Sequence, residues 1–375
     1  MKITDIRTIV VGNPWKNWVF VVVETSDGIT GLGEATGGLQ TMPNKEAVEE
    51  IKHLAIGKNP LEISNIVDEI YKASFLKITP AISAIEIACW DILGKYLKVP
   101  IYQLLGGKVR DKIKVYANGW YSGERSAENF AEKAKFLSDK GYKALKFDPF
   151  GSEYLRLNKE SEVFIKKIIR SVRDAVGPNV ELMIEGHKRF NTIEAIKIAN
   201  WLNEFEVTWF EDPIDNDDID SLIYVSNNSP VRIIAGEGFR KYKDFTRFVS
   251  SNATDIVNPE VIGIGGISGA VKVAGICSSF DVDLAFHNAE SPLKTMTNLQ
   301  LCGGIKNIYI QECFDEFNAD WIEELFPNYE KVKDGYLSIP DKPGLGITIN
   351  EDVAKKHPYN KSNFLRRFKP GWESR

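Results

Sequence analysis

The sequence predicts an α/β protein: a closed barrel of alternating strands and helices, preceded by a smaller α+β module. Three observations carry this. From about residue 112 onward, short apolar runs alternate with helical stretches through eight units of similar length. Glu185, Glu211 and Glu237 each end such a run and stand at equal intervals of 26 residues (211 − 185 and 237 − 211), about one strand plus one helix. Before residue 112 the texture is first strand-like and then helical, without alternation. An open doubly wound sheet is the main competitor, but eight consecutive units favour closure.

The first forty residues give ITDIRTIVV, WVFVVVETSDG and ITGLGEA, with Asp27-Gly28 as a hairpin signal between the second and third runs. From Pro43 to about Tyr102 the period lengthens. EAVEEIKHLAI, EISNIVDEIYKAS and TPAISAIEIACWDILGKYL set apolar residues at helical spacing, Pro80 suits a helix start, and Gly106-Gly107 ends the region. The barrel strands are then KVYANGW, KALKFDP, VELMIEG, TWFEDP, RIIAGEGF, TDIVNPEV, VDLAFHN and NIYIQEC. Between them lie helical stretches such as ENFAEKAKFLSDKG, SEVFIKKIIRSVRDAVG, TIEAIKIANWLNEF and GAVKVAGICSSF. The expected division is residues 1–111 as the α+β module, 112–325 as the barrel, and 326–375 as a segment packing back on the first module.

The 375 residues are 43% hydrophobic and 26% charged, ordinary for a soluble globular protein. A formal net charge of −5 and a pI near 5.7 argue against nucleic acid or acidic lipid as the main partner. The opening MKITDIRTIVVGNPWKNW carries Asp5 and Arg7 within its apolar stretch and has no cleavage-site pattern, so it reads as a strand and not a signal peptide. No run approaches the roughly 18 apolar residues of a membrane helix. Cys89, Cys277, Cys302 and Cys313 are scattered without CxxC spacing, which gives no disulfide or zinc pattern and makes a reducing cytoplasm the expected location.

In barrels of this kind chemistry gathers at the C-terminal ends of the strands, because those loops converge over the barrel mouth. Read in order, the strand ends carry Lys146 and Asp148, Glu185 and His187, Glu211, Glu237, Glu260, His287 and Glu312. Clustered acids repel one another unless a cation or bases balance them. The carboxylates of Glu185, Glu211 and Glu237 together form the oxygen-rich, negative pocket that a hard divalent cation such as Mg²⁺ neutralises. Each residue alone has an ordinary reading: a solvated or helix-capping glutamate, a surface lysine, a structural histidine. The set outweighs them, since the chain has four histidines and two end candidate barrel strands.

Several longer motifs go together: AISAIEIACWDILGKYLKVPIYQLLGG in the first module, GYKALKFDPF at strand two, FEDP at strand four and GEGF at strand five. NPEVIGIGGIS at strand six, AFHN at strand seven and PGLGI near the end complete the set. With these the chain resembles the mandelate racemase-type branch of the enolase superfamily over nearly its whole length. The resemblance implies a (β/α)₇β TIM-like barrel beneath an α+β capping domain formed by the N-terminal region and the C-terminal tail. It implies Mg²⁺ held by Glu185, Glu211 and Glu237, a homo-oligomer, and a reaction that starts by removing the proton α to a carboxylate. Such a proton is too weakly acidic for a histidine unless the dianionic enediolate is stabilised, which the metal, Lys146 and a hydrogen bond from Glu312 would do. To donate, Glu312 must be protonated, so a raised pKa is expected there.

Within that family, racemases carry Lys-x-Lys at strand two where this chain has Lys146-x-Asp148, which argues against a two-base racemase. Glu185-Gly186-His187 is similar to the acid-x-His arrangement of sugar-acid dehydratases. His287 with Glu260 resembles the family's His–carboxylate dyad, which makes His287 the expected base at C2 and His187 the acid at C3; the reverse roles are the alternative. The first metal ligand and the dyad acid are commonly Asp in the family, and here each is the longer Glu. The implied activity is Mg²⁺-dependent dehydration of an aldonate of gluconate or galactonate type to the 2-keto-3-deoxy acid. A racemase, epimerase or lactonising enzyme is the same-class alternative, and a catalytically silent sugar-acid-binding barrel the different-class one.

The remaining candidates are weaker. Trp15, Lys16, Asn17 and Trp18 lie where capping loops of the family close over substrate, although both tryptophans also suit plain packing. Asp148 and Asn288 are candidates to bind sugar hydroxyls; equally, Asp148 before Pro149 suits shaping the loop. The glycines of VIGIGGIS (Gly263, Gly265, Gly266) follow a late barrel strand without the rest of a dinucleotide fingerprint. NKSNFLRRFKPGWESR reads as a solvated or subunit-contacting end.

Overall fold

The computed structural model describes residues 1–38, 40–73 and 79–372. β1 (Ile3–Val11), β2 (Trp18–Thr25) and β3 (Thr30–Glu34) form an antiparallel sheet with β2 at its centre. β2 is apolar throughout because it is covered on both faces. Val19, Val21 and Val23 point into the core of the first module, and Trp18, Phe20 and Val22 point the other way into the barrel's outer core. Helices α1 (Thr41–Ile51), α2 (Ile63–Ala73) and α3 (Thr79–Leu97) cover the first face, and a short α4 (Ile101–Leu104) leads out. A Cβ at Gly33 would lie 1.9 Å from the Ala84 carbonyl oxygen, so glycine is what lets β3 lie directly on α3.

The barrel runs β4 (Lys112–Ala117), α5 (Ala127–Asp139), β5 (Ala144–Phe147), α6 (Lys159–Val176), β6 (Glu181–Glu185), α7 (Thr192–Leu202), β7 (Trp209–Glu211) and α8 (Ile219–Asn227). It continues through β8 (Ile233–Ile234), α9 (Tyr242–Ser250), β9 (Ile256–Val257), α10 (Gly266–Ser278), β10 (Asp283–Leu284), α11 (Pro292–Gly304) and β11 (Gln311–Cys313). Strands β4 to β8 pair in parallel order, β9 pairs β10, and β11 returns to pair β4. The two remaining junctions are made by Asn258 N donating to Ala235 O and by a parallel bridge between Leu284 and Ile308. Tyr116, Ala144, Met183, Trp209, Ile234, Ile256, Ala285 and Ile310, one from each successive strand segment, form a single buried cluster inside the ring. This is a packed barrel core and not a pore. All eight expected strands are present, and the barrel is of (β/α)₇β type. Among the described residues no helix is long and apolar enough to cross a membrane.

After the short α12 (Ile322–Leu325), β12 (Tyr336–Ser338) pairs antiparallel with β4. α13 (Glu351–Lys356) then rejoins the first module, where Arg7 holds Glu351 at 2.6 Å and Gly12 N donates to His357 O. The chain does not stop there. It turns back to the barrel, where the Trp372 indole N–H donates to Gly151 O at 2.9 Å. The tail is therefore neither wholly solvated nor confined to the capping domain, because its aromatic residues find an apolar and cationic surface on the barrel loops.

The two modules are locked by Glu86 of α3. Its carboxylate accepts the N–H groups of Ile267 (2.9 Å) and Ser268 (2.8 Å) at the start of α10, and the Trp90 indole N–H at 2.8 Å. It caps a helix of the other module, satisfying donors that have no partner within that helix. Burial outweighs these bonds and raises the Glu86 pKa to about 7. A carboxyl raised above its unfolded value stabilises fully below the unfolded pKa, and that contribution is lost as pH rises through the folded one. Relative to a Glu86→Gln variant, the wild type should therefore lose about 3 kcal/mol of stability between pH 4.5 and pH 7. Paired denaturant titrations across that range measure this, and a pH-independent difference would contradict it.

Candidate active site

The β6–β7 register pairs Glu185 with Glu211, so these carboxylates leave adjacent strands at the same level. Gly186 is required beside them: a Cβ there would lie 2.8 Å from Asp212 O and 2.9 Å from Pro213 Cα. Beyond it the backbone is strained. His187 (φ 49°), Lys188 (φ 62°) and Asp212 (φ 40°) all occupy the left-handed region without being glycine, a cost of order 1 kcal/mol each that surrounding structure must impose. Lys188 N donates to Asp212 O at 2.7 Å, and His187 N to Glu185 Oε1 at 2.7 Å, which holds the turn.

Lys146 stands at the centre of the mouth. Its ammonium, 1% exposed, meets Glu211 at 2.6 Å, Glu312 at 2.9 Å and Glu185 at 3.2 Å. Burial alone would discharge it, but Glu211 and then Glu312 outweigh burial and hold its pKa well above the usual lysine value. Lys188 plays the same part on the next strands, meeting Glu237 at 2.8 Å and Asp212 at 3.4 Å. The predicted metal set is thus shared out: Glu185 and Glu211 on Lys146, Glu237 on Lys188 and His287.

These residues suit a divalent cation by charge. Five carboxylates (Glu185, Glu211, Asp212, Glu237 and Glu312) face two ammoniums. The deficit shows in the acids: burial, with Glu185 and Glu312 nearby, drives the Glu211 pKa well above the carboxylate range despite Lys146, and burial with Glu237 nearby raises Asp212 to about 7 despite Lys188. A second grouping exists. Ligand atoms of Glu260, His287 and Glu290 lie within 4.8 Å of one another, but the Lys294 ammonium already sits 2.5 Å from both of these carboxylates.

Glu312 differs from expectation. It is fully buried, which favours the neutral acid, yet Lys146 and then His287 outweigh this and lower its pKa. It also accepts from Asn288 N (2.6 Å) and from Asn118 Nδ2 (2.7 Å). Three donors fix an ionised carboxylate, so Glu312 is an acceptor that holds Lys146 and not a proton donor.

His287 is held at both nitrogens. Nδ1 lies 2.6 Å from Glu260 Oε2, and Nε2 lies 3.0 Å from Glu237 Oε2. Burial favours the neutral ring, but Glu237, then the Glu260 hydrogen bond and Glu312, raise its pKa to about 9. His187 has a matching arrangement: its Nδ1 lies 2.6 Å from Asp148 Oδ2, and Arg189 grips the same oxygen. Since β6 and β10 are the third and seventh of eight barrel strands, these two histidine–carboxylate pairs face each other across the mouth.

Asp148, expected as a candidate for sugar hydroxyls, sits against His187. It is fully buried, and Phe150 N takes its other oxygen at 2.8 Å. Asn288 is fully buried; it donates from Nδ2 to Thr295 Oγ1 at 2.7 Å and from its backbone to Glu312, while its Oδ1 has no partner. Trp15 is partly exposed and packs on Phe314 (ring centroids 5.3 Å apart), beside the end of β11. Trp18 is core.

Lys188, Arg189, Glu290 and Lys294 were not anticipated. The first two follow His187 directly in EGHKRF, and the last two stand four apart at the start of α11, so local signals existed. The capping module adds Lys16, which meets Glu290 at 2.7 Å, and Glu34, which accepts from Ser291 Oγ at 2.5 Å. Burial raises Glu34 to about 8.

Two family models match the chain: the mandelate racemase / muconate lactonizing enzyme N-terminal domain over residues 7–106, and the enolase C-terminal domain-like family over residues 129–353. A D-gluconate dehydratase of Thermoproteus tenax is 34% identical over 364 residues, covering 96% of this chain and 73% of that protein. A D-gluconate/D-galactonate dehydratase of Picrophilus torridus is 36% identical over 370 residues, covering 96% and 93%. Among solved structures, a mandelate racemase/muconate lactonizing enzyme from Jannaschia sp. CCS1 superposes with a TM-score of 0.88 at 28% identity, covering 96% of this chain and 98% of that one.

The His287 environment makes a direct prediction. Without divalent cations, its ring carbons should titrate near pH 9 in NMR spectra, assigned by difference against His287→Asn; a midpoint at or below 6.5 would contradict the geometry.

Proposed function

The chain belongs to the mandelate racemase/muconate lactonizing enzyme branch of the enolase superfamily, and from that premise we propose that it is a hydro-lyase that dehydrates an aldonate to its 2-keto-3-deoxy acid. The observation that carries the reading is the pair of histidine–carboxylate units facing each other across a carboxylate-rich mouth. One histidine can take a proton from C2 while the other gives one to the hydroxyl leaving C3, on the opposite side of the same substrate. The names of the two dehydratase relatives support a gluconate- or galactonate-type substrate.

Glu185, Glu211 and Glu237 would hold Mg²⁺, and their excess of buried negative charge supports that. When bound, Mg²⁺ supplies charge neutralisation to the substrate carboxylate and to the enediolate that develops from it. The remaining steps belong to the protein. With Glu237 given over to the cation, the main cause of the raised His287 pKa would be gone, and His287, oriented by Glu260 at Nδ1, then accepts the C2 proton at Nε2. His187, oriented by Asp148, donates from Nε2 to the departing 3-hydroxyl. The C3–O bond breaks, water leaves, and the resulting enol takes a proton at C3 while its C2 hydroxyl gives one up, which yields the keto acid. Lys146 keeps Glu185, Glu211 and Glu312 compatible with one another throughout.

A library of aldonates assayed for 2-keto product, with and without chelation, tests the reading. Turnover of at least one gluconate- or galactonate-type acid, lost on chelation and restored by Mg²⁺, is expected. Exchange of the C2 hydrogen without loss of water from any aldonate would instead point to a racemase or epimerase. His287→Asn should abolish both C2 exchange and dehydration, whereas His187→Asn should cost about 10²–10⁴-fold in dehydration and keep the exchange. Full dehydration by His287→Asn would remove the base assignment.

A further inference from the structure

The tail's return to the barrel ends on the residues that orient His187. Trp372 is 4% exposed, donates its indole N–H to Gly151 O at 2.9 Å, and meets the His187 ring edge-on with centroids 5.1 Å apart. Phe368 lies over the Arg189 guanidinium at 4.6 Å, while Phe150 flanks it at 5.6 Å on the core side. Arg189 grips Asp148, and Asp148 holds His187 Nδ1. The two aromatic rings thus touch both His187 and the arginine that anchors its carboxylate.

The contacts are also selective. Arg366, Arg367 and Lys369 are exposed, and only Leu365, Phe368 and Trp372 turn inward. Phe368 even accepts a left-handed backbone (φ 65°) to do so, a conformation disfavoured for an aromatic residue unless its side chain is held. A merely solvated end has no physical reason to bury an indole against a partly buried histidine at the barrel mouth.

We propose that residues 365–372 form a strap that is part of the active site, with Trp372 as a positioning residue that fixes the His187 ring for proton delivery. An imidazole on a strained loop has two rotatable bonds, and Asp148 restrains only one nitrogen. The indole adds an edge-on contact to the ring beyond the Asp148 bond, and Phe368 packs on Arg189, which holds Asp148. Misplacement of a proton donor by about 1 Å is enough to cost roughly 10²-fold in rate. The proposal rests on the dehydratase reading in giving His187 the C3 step, and it predicts that loss of the strap affects that step alone.

The test uses the full chain as wild type, Trp372→Ala and Trp372→Phe, with an aldonate the wild type turns over, in D₂O. Trp372→Ala should lower 2-keto product formation at least about tenfold while deuterium still enters C2 of recovered substrate, and Trp372→Phe should recover most of the loss. Unchanged dehydration in Trp372→Ala, or an equal fall in exchange and dehydration, would overturn the proposal. Failure of the dehydratase reading looks different, since the wild type would then turn over no aldonate. In that event carbethoxylation of His187, followed by peptide mass spectrometry, still decides. A several-fold faster modification in Trp372→Ala supports the strap, and an unchanged rate overturns it.

Discussion

The mouth of this barrel depends on one ammonium group. Lys146 is buried among Glu185, Glu211 and Glu312, which arrive from three different strands. Removing a charge from water costs several kcal/mol unless partners replace the lost hydration. Three acids without Lys146 would repel one another, and Lys146 without them would be neutral. The site is therefore assembled as a unit or not at all. Even with Lys146 and Lys188 in position the acids remain in excess, and the raised pKa values of Glu211 and Asp212 record the strain. Such an arrangement lowers stability and leaves the mouth with a charge that suits a cation.

Around that centre the two histidines are oriented by one physical scheme used twice. Each Nδ1 faces a carboxylate, and each carboxylate is gripped by a further buried cation: Asp148 by Arg189, Glu260 by Lys294. The cation holds each carboxylate in place, and through it one nitrogen of each ring. The surroundings differ. The His287 side is tied to the capping module through Glu290 and Lys16, whereas the His187 side is covered by the C-terminal strap. Residues from both ends of the chain thus pack beside the barrel mouth, Lys16 on the His287 side and Trp372 on the His187 side.

The barrel was legible because its signal is local. Each strand end combines an apolar run with an ionisable residue, and the interval of Glu185, Glu211 and Glu237 reports the repeat length directly. The histidine at the end of β10 and the acid at the end of β9 were legible for the same reason. What sequence could not give was which partner each group finds across the mouth. Glu312 was expected to be protonated, but Asn118, the backbone of Asn288 and Lys146 converge on it from three distant segments. Asp148 reads as a candidate for substrate hydroxyls because nothing in the sequence links it to Arg189, forty-one residues away. The tail has no period at all. Trp372 reaches Gly151 across a sequence separation of 221 residues, fixed by tertiary packing alone.

The central claim is that the carboxylates around Lys146 and Lys188, and not those around Lys294, are the ones that need a divalent cation. A crystal soaked with Mn²⁺ in place of Mg²⁺, and measured for anomalous scattering, tests this without reference to turnover. The account predicts one anomalous peak bounded by Glu185, Glu211 and Glu237, with Lys294 still paired to Glu260 and Glu290. A peak at Glu260, His287 and Glu290, or none at saturating Mn²⁺, would contradict it.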